Sequence, residues 1–510
     1  MITAETSYLF RHALLRDAAY QLQMPGDRAR LHGIALAALE SLFGGTPPAP
    51  PPMTRARTSP LQPHPSDPAA EELAAHAGLA GSVPAQRLYL GRAAEFAERH
   101  FRFEAAFACW QGLARICYGT ERASTLQRAG AAARSFGRVA EAEAFIEEAI
   151  AYHAKEGERA LEGLALGQKA SLLKETGRAV DAEAPGRGAL ERAREAGDRA
   201  GEGTALANLA GIYAQTGRID AAEGAYVEAL AIQRAIGNRR YLGMVMANLG
   251  TVYGECGRTE LAEKTCVEAL SLHRATGDRR FEGITLGNLA ILYHQTGRTA
   301  LAERTYGEAL DVHRETGNRR SEGIVLGNFG TFYMEENRNE DAEPALERAL
   351  AICREVGERR FEANTLTNLG NVYLQTRRLE AAERAFQQAL SVQRETRDRR
   401  FEGITLGDLA ELFGCTGREA LAEVTFAEAL LIDRDLRSRR YEGAHLCGLG
   451  LVLLRRGKAA EARQAWSEGD AILKEVGDAP VRRRSGEAMR EACRNAGIAA
   501  FDLTGPATPP

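Results

Sequence analysis

Residues 280–319 read RFEGITLGNLAILYHQTGRTALAERTYGEALDVHRETGNR, and nearly the same forty residues recur before and after them. The Asn-Leu-(Gly/Ala) triplet starts at Asn208, Asn248, Asn288 and Asn368, with Asn-Phe-Gly at Asn328. An aromatic residue keeps the same step at Tyr213, Tyr253, Tyr293, Tyr333, Tyr373 and Phe413. A fixed period of this size signals stacked supersecondary units that bury one another's apolar faces. Within the quoted stretch, Leu286, Leu289, Ala290 and Tyr293 share one helical face, and Asp278 can cap that helix. Gly297 stops it, because glycine takes the left-handed conformation without a Cβ clash. A second helix starts near Thr299, buries Ala302, Tyr306, Ala309, Leu310 and Val312, and ends at Gly317. The small residues let paired helices approach and the large ones fill the gaps. β structure has no place in the pattern. The predicted fold is all-α, an α-solenoid of helix-turn-helix hairpins.

A chain of 510 residues would ordinarily divide into several globular domains, but a solenoid grows by adding units. With 65 basic and 69 acidic side chains the formal net charge is only -4, which demands neither nucleic acid nor an anionic membrane as partner. The eight cysteines form no CxxC pair and share no repeat position, so they read as reduced and mostly packed. No N-terminal apolar segment precedes a cleavage site, and no run of about 18 apolar residues occurs. These features predict a soluble, cytoplasmic protein.

Five segments follow from the pattern. Residues 1–43 read as helical, with Phe10, Ala13, Leu14 and Ala18 at helical spacing and Leu31, Leu36 and Leu39 beyond the Pro25-Gly26 break. Residues 44–68 are a Pro-rich linker, read as a spacer with a polyproline ligand as the alternative. Residues 69–119 are helical and contain a degenerate repeat with Ala94, Ala106 and Trp110 at packing positions. Residues 120–479 hold nine repeats, and residues 480–510 a capping helix and a disordered tail. Pro185, Gly186 and Gly188 inside a second helix predict a bent or frayed hairpin. Asn337 and Arg377 stand where other units carry the turn glycine.

The residues Leu286, Leu289, Ala290, Tyr293, Ala302, Tyr306 and Ala309 resemble the tetratricopeptide repeat (TPR) signature in type and spacing. The usual period of that family is 34 residues, so the helices here should be longer. The proline that commonly closes the second helix is replaced by Arg234, Arg274, Arg314, Arg354, Arg394 and Arg434. Longer units ending in Gly-(Asp/Asn)-Arg-Arg resemble those of kinesin light chains and Pins-type adaptors. The resemblance implies a right-handed superhelix and a peptide-binding scaffold. Separately, Phe10 to Tyr20 with Arg28-Ala29-Arg30-Leu31-His32 resembles the junction between ATPase and TPR arm in bacterial STAND-type regulators. No G-x-x-x-x-G-K-[ST] occurs, so nucleotide binding is not carried over. A second reading is therefore the sensor arm of a STAND-like ATPase whose motor is separate or lost.

Two residue series are candidate binding features. Asn208, Asn248, Asn288, Asn328, Asn368 and then Asp408 each sit about 100° from the core-facing leucine, which in a TPR is toward the groove. An amide ladder can grip the backbone of an extended peptide; alternatively each Asn bonds a neighbouring helix and fixes register. Ala207, Ala247, Gly287, Gly327 and Gly407 are small and leave room in the same groove, or permit tight packing. Asn364, Thr367, Asn371 and Gln375 make it polar, whereas Met334, Ile284 and Ile324 make it apolar. The second series is an arginine edge that includes Arg279, Arg280, Arg319, Arg320, Arg359 and Arg360. It could hold acidic groups, but Glu282, Glu322, Glu362, Glu402 and Glu442 recur beside it and favour ion pairing. Scattered histidines, no HExxH and only His273 and His313 in register predict no catalytic site, no metal and no cofactor. The expected partner is a protein or peptide.

Overall fold

The computed structural model describes residues 20, 22–48 and 62–501. Among the described residues there are 23 α-helices and no strand. Two compact units emerge, Met1–Asp278 and Arg279–Pro510. The first contains α1 (Pro25–Leu42), a 3₁₀ turn (Asp67–Ala69), α2 (Ala70–Leu79), α3 (Val83–Arg99) and α4 (Phe103–Ala114). Four hairpins follow: α5 (Gly119–Ser135) with α6 (Val139–Glu156), α7 (Arg159–Glu175) with α8 (Ala179–Glu195), α9 (Arg199–Gln215) with α10 (Ile219–Ala235), and α11 (Arg239–Glu255) with α12 (Thr259–Thr276).

The second unit has five hairpins and a single last helix. These are α13 (Arg279–Gln295) with α14 (Thr299–Glu315), α15 (Arg319–Glu335) with α16 (Asn339–Glu355), α17 (Arg359–Gln375) with α18 (Leu379–Thr396), α19 (Arg399–Cys415) with α20 (Glu419–Asp435), α21 (Arg439–Arg455) with α22 (Ala459–Glu475), and α23 (Ala479–Asn495). The architecture is an all-α solenoid.

Local chemistry sets each boundary. Helices α13 and α14 have 17 residues each, and three-residue turns complete the 40-residue period. At the first turn Gly297 has φ +71°; its N–H donates to the His294 carbonyl (2.9 Å), and the Arg298 N–H to that of Tyr293 (2.8 Å). This bonding pattern is the Schellman motif, which satisfies the last carbonyls of the helix. At the other end Asn318 accepts the Ser321 N–H (3.2 Å) and Asp398 that of Phe401 (3.4 Å), so these side chains cap α15 and α19.

Five turn positions among the described residues carry positive φ without glycine: Phe101, Asn337, Arg377, Arg397 and Arg437. A side chain with a Cβ is strained there. Arg437→Gly is expected to raise the stability of the second unit by about 0.5–1 kcal/mol, the strain relief exceeding the extra freedom of the unfolded chain. Chemical denaturation would check this, and an unchanged or lower midpoint would exclude it.

The hairpin expected to bend or fray at Pro185 keeps its helix: α8 runs continuously from Ala179 to Glu195 with Pro185 inside it. Packing holds it: a Cβ on Gly186 would lie 2.9 Å from Leu209 Cδ2, so that glycine admits α9 against the helix. The Pro-rich stretch also differs from a plain spacer at its described ends. Pro47, Ser66 and Asp67 are buried, and Arg92 of α3 bonds Asp67 together with the Pro48 and Gln62 carbonyls. Residues 49–61 lie outside the described residues, as do residues 1–19 and 21, with most of the STAND-like Phe10–Tyr20 stretch, and the tail 502–510; Arg28–His32 of that resemblance lie within α1.

The core is built as the repeats require. In the second unit one cluster joins Phe386 of α18 to Leu409, Ala410 and Phe413 of α19 and Phe426 of α20. Helix α23 stands at the register of a first helix and is the last helix among the described residues. Its Met489 and Cys493 join Trp466 in the last cluster, where Phe501 lies 6.4 Å from the Trp466 ring.

Candidate functional site

Each first helix buries one side and leaves a narrow stripe. In α13 the buried side includes Thr285, Leu286, Leu289, Ala290 and Tyr293. The stripe is Phe281, Ile284, Asn288, Ile291 and Gln295, half-buried and ending exposed, at alternating steps of three and four. That alternation keeps all five on one helical face. Equivalent stripes occur in both units. In the first, α11 presents Tyr241, Met244, Asn248 and Thr251; in the second, α19 presents Phe401, Ile404, Asp408 and Glu411.

Every residue of the asparagine series lies on this stripe, yet their bonding differs. In the first unit Asn208 is half-buried with its amide facing Gly167 of α7, and Asn248 is exposed. In the second, Asn368 donates to Thr331 Oγ1 on α15 (2.8 Å), and Asn371 donates to Asp408 Oδ2 on α19 (3.0 Å). Asn288 and Asn328 are half-buried and Gln375 is exposed. The half-buried Asn364 keeps an inaccessible Oδ1 without a donor among the described residues. The residue 37 places earlier separates these cases: Thr331 precedes Asn368, whereas Ile291 precedes Asn328 and Gly211 precedes Asn248. A hydroxyl can accept the amide proton; an alkyl group or glycine cannot. Asn248 and Asn328 have no hydrogen-bond partner among the described residues.

Several neighbours assigned to the groove face elsewhere. A Cβ on Gly287 would touch Val325 at 3.5 Å, and one on Gly407 would overlap the His445 ring at 2.0 Å. Ala207 and Ala247 are buried. These small residues therefore serve close packing between successive first helices. Thr367 is buried as well, sharing a 2.8 Å hydrogen bond with Thr405. Met334 packs against the cluster of Leu346, Leu369 and Val372.

The stripe of the second unit is electrostatically distinctive at α19. Asp408 is half-buried and Glu411 exposed, but surrounding protein still desolvates both. Desolvation and then the nearby Glu411 push the Asp408 carboxyl up to about 7, against the Asn371 hydrogen bond, His445 and Arg484. Desolvation likewise raises Glu411, opposed by Arg484 and His445. The opposing influences come from His445 on α21 and Arg484 on α23.

The arginine edge is a lattice of ion pairs. Arg279 pairs with Glu282 (2.8 Å) and Glu315, Arg319 with Glu322 (2.6 Å) and Glu355 (2.7 Å), and Arg359 with Glu362 (2.5 Å) and Glu395 (2.7 Å). Arg320 reaches Glu358 and Arg360 reaches Asp398, each at 2.5 Å and each in the following repeat. Arg280 lies over the Phe281 ring. The glutamates are the residues that sequence reasoning undervalued. Glu322 is only 2% exposed and receives Arg314, Arg319 and Arg348. The recurring interval of eight residues from Arg314 to Glu322, repeated from Arg354 to Glu362, was the available signal.

Other candidate chemistry is absent from view. No group of three or more His, Cys, Asp or Glu able to hold a metal occurs among the described residues. His313 and Cys353 are buried in the packing of second helices. No helix among the described residues is long and apolar enough to cross a membrane.

Stacked antiparallel helix pairs with one open stripe define a helical-repeat protein. More particularly, the hairpins within residues 161–395 are tetratricopeptide repeats: the family model described as "Tetratricopeptide repeat" matches residues 161–235, 241–315 and 321–395. No curated protein matches the sequence. Among solved structures, the chain is similar to BtubC (BKLC) from P. vanneervenii at 19% identity, over 43% of this chain and 92% of that one, with a TM-score of 0.39. It is similar to a signal transduction ATPase with numerous domains (STAND) protein with a tetratricopeptide repeat sensor from Pyrococcus horikoshii, at 15% identity over 76% of this chain, with a TM-score of 0.49. That likeness covers 55% of the STAND protein, so this chain spans about half its length. The nearly identical TPR-like repeats of a kinesin light chain candidate from Podosopora anserina match at 18% identity, over 38% of this chain and 96% of that one, with a TM-score of 0.33.

Proposed function

We propose that this protein is an interaction scaffold that holds an extended or helical segment of a partner protein along the stripe of its first helices. The observation that carries the reading is the stripe left open in each unit after its hairpins have packed, which holds the exposed amide of Asn248 in the first unit and the half-buried, unbonded amide of Asn328 in the second. An amide donates and accepts, so it can bond a peptide backbone whatever the peptide sequence. Asn368 and Asn371 hold neighbouring helices in register, and the ladder therefore divides its labour between structure and recognition. The arginine edge supplies stability, since its guanidinium groups already meet carboxylates. Catalysis has no part in this reading, and neither do nucleic acid or membrane. A reducing cytoplasm suits eight free cysteines, of which Cys256 and Cys415 are exposed.

Replacing Asn248 and Asn328 together with alanine is expected to abolish capture of partner proteins from native extract while shifting stability by less than about 0.5 kcal/mol. Affinity capture with quantitative mass spectrometry, paired with a thermal melt, reads both effects. Undiminished capture would rule out recognition by these amides. A collapse of the melt would instead assign them a structural role.

A further inference from the structure

We propose that the second unit selects partner segments by seating one lysine or arginine side chain against Asp408 and Glu411 of α19, and this rests on the groove reading above. The stripe of α19 changes character along its length. Phe401 and Ile404 are apolar, and Asp408 and Glu411 follow within seven residues of Ile404, roughly 10 Å of helix. A lysine or arginine has the same profile, an aliphatic stem that lies on apolar surface and a cationic head.

Charge complementarity singles out this place in an arginine-rich chain. Elsewhere carboxylates of the first helices are matched: Glu362 receives Arg354 and Arg359, and Glu442 receives Arg434 and Arg439. Glu411 has no hydrogen bond or ion pair among the described residues, and Asp408 is held by the neutral amide of Asn371 alone. The titratable groups that act on the two carboxyls from other helices are His445 of α21 and Arg484 of α23. His445 already gives its Nδ1 to Asp433 at 2.7 Å. Arg484 is thus the guanidinium whose charge acts on both carboxyl groups, and neither is in an ion pair among the described residues. A partner cation brings the second charge, and its hydrogen bonds to a carboxylate are charge-assisted.

The test uses randomised dodecapeptides displayed on phage and selected on the full-length chain, in parallel with an Asp408→Asn/Glu411→Gln variant of equal helicity. Wild type is expected to enrich Lys or Arg at one fixed register, and the variant to lose that enrichment while keeping preferences at other positions. Changing the selected basic residue to Gln should weaken binding to wild type about tenfold or more and leave binding to the variant unchanged. Peptides enriched without a basic position, or with an acidic one, would overturn this proposal and leave the groove reading standing. Recovery of no peptide at all would overturn both. Salt gives an arm independent of the variant's folding: raising it to about 0.5 M should weaken the basic peptide far more than its Gln counterpart, and equal weakening would count against the proposal.

Discussion

Arg92→Met is expected to remove about 3–5 kcal/mol from the N-terminal helices of the first unit. Arg92 is fully buried on α3; its Nε donates to Asp67 (2.7 Å) and its Nη2 to the Gln62 carbonyl (3.0 Å). Asp67 is itself 5% exposed, and its second oxygen accepts the His64 N–H at 2.9 Å. Methionine preserves much of the volume but leaves a carboxylate in the interior with no counter-charge. The desolvation of that lone ion, rather than the lost attraction, dominates the effect. Adding Asp67→Asn should therefore recover more than half of the loss, because an amide needs no counter-ion and can still accept from His64. Hydrogen exchange across α2 and α3, combined with urea titration, reads the change. If Arg92→Met alone falls within about 1 kcal/mol of wild type, the pair does not hold this segment as described.

That contact also shows where sequence reading stops. The turns at Gly297 and Gly317, the caps at Asn318 and Asp398, and the buried Leu289 and Tyr293 all depend on residues within a few positions of one another. Such features are visible in a single repeat, and the period then multiplies them. Arg92 and Asp67 are linked across a proline-rich stretch whose composition gives no hint of closure. The shared helical face of the asparagine series was legible from its spacing, its bonding less so. Helical geometry placed Asn328 and Asn368 on the same stripe, but only the residue 37 places earlier decides which amide is bonded, and that residue sits on a different helix. Thr367 was assigned to the groove because it is polar, yet Thr405 meets it between helices. Asp408 reads as one more step of an amide series, although its environment comes from Glu411, Asn371, His445 and Arg484. Long-range neighbours, more than local propensity, set the chemistry of the site.

The second large effect concerns a buried histidine and pH. His313 on α14 is fully buried, and neither ring nitrogen has a hydrogen-bond partner among the described residues. The ring lies flat on Gly283 of α13, where a Cβ would come within 2.6 Å of Cε1. Burial pushes its pKa down to about 4; Glu322 opposes the shift and Arg280 adds to it. The folded value is thus below the ordinary 6.5 of the unfolded chain. Above pH 6.5 the ring is neutral in both states and contributes no pH dependence. As pH falls from 6.5 toward 4, the unfolded chain takes up a proton that the folded chain refuses, so stability is lost, by about 3 kcal/mol at full extent. His313→Leu should remove this share. Leucine fits the place, since Leu473 occupies the equivalent position, fully buried over Gly443. At pH 7 the variant should gain about 1–3 kcal/mol by eliminating two orphaned polar atoms. Between pH 7 and pH 5 its advantage should widen by a further amount of about 2 kcal/mol. Urea titration of both chains at the two pH values isolates the effect, because carboxylates common to both cancel in the difference. An advantage that stays flat with pH would mean that the folded chain accommodates the protonated ring against Gly283.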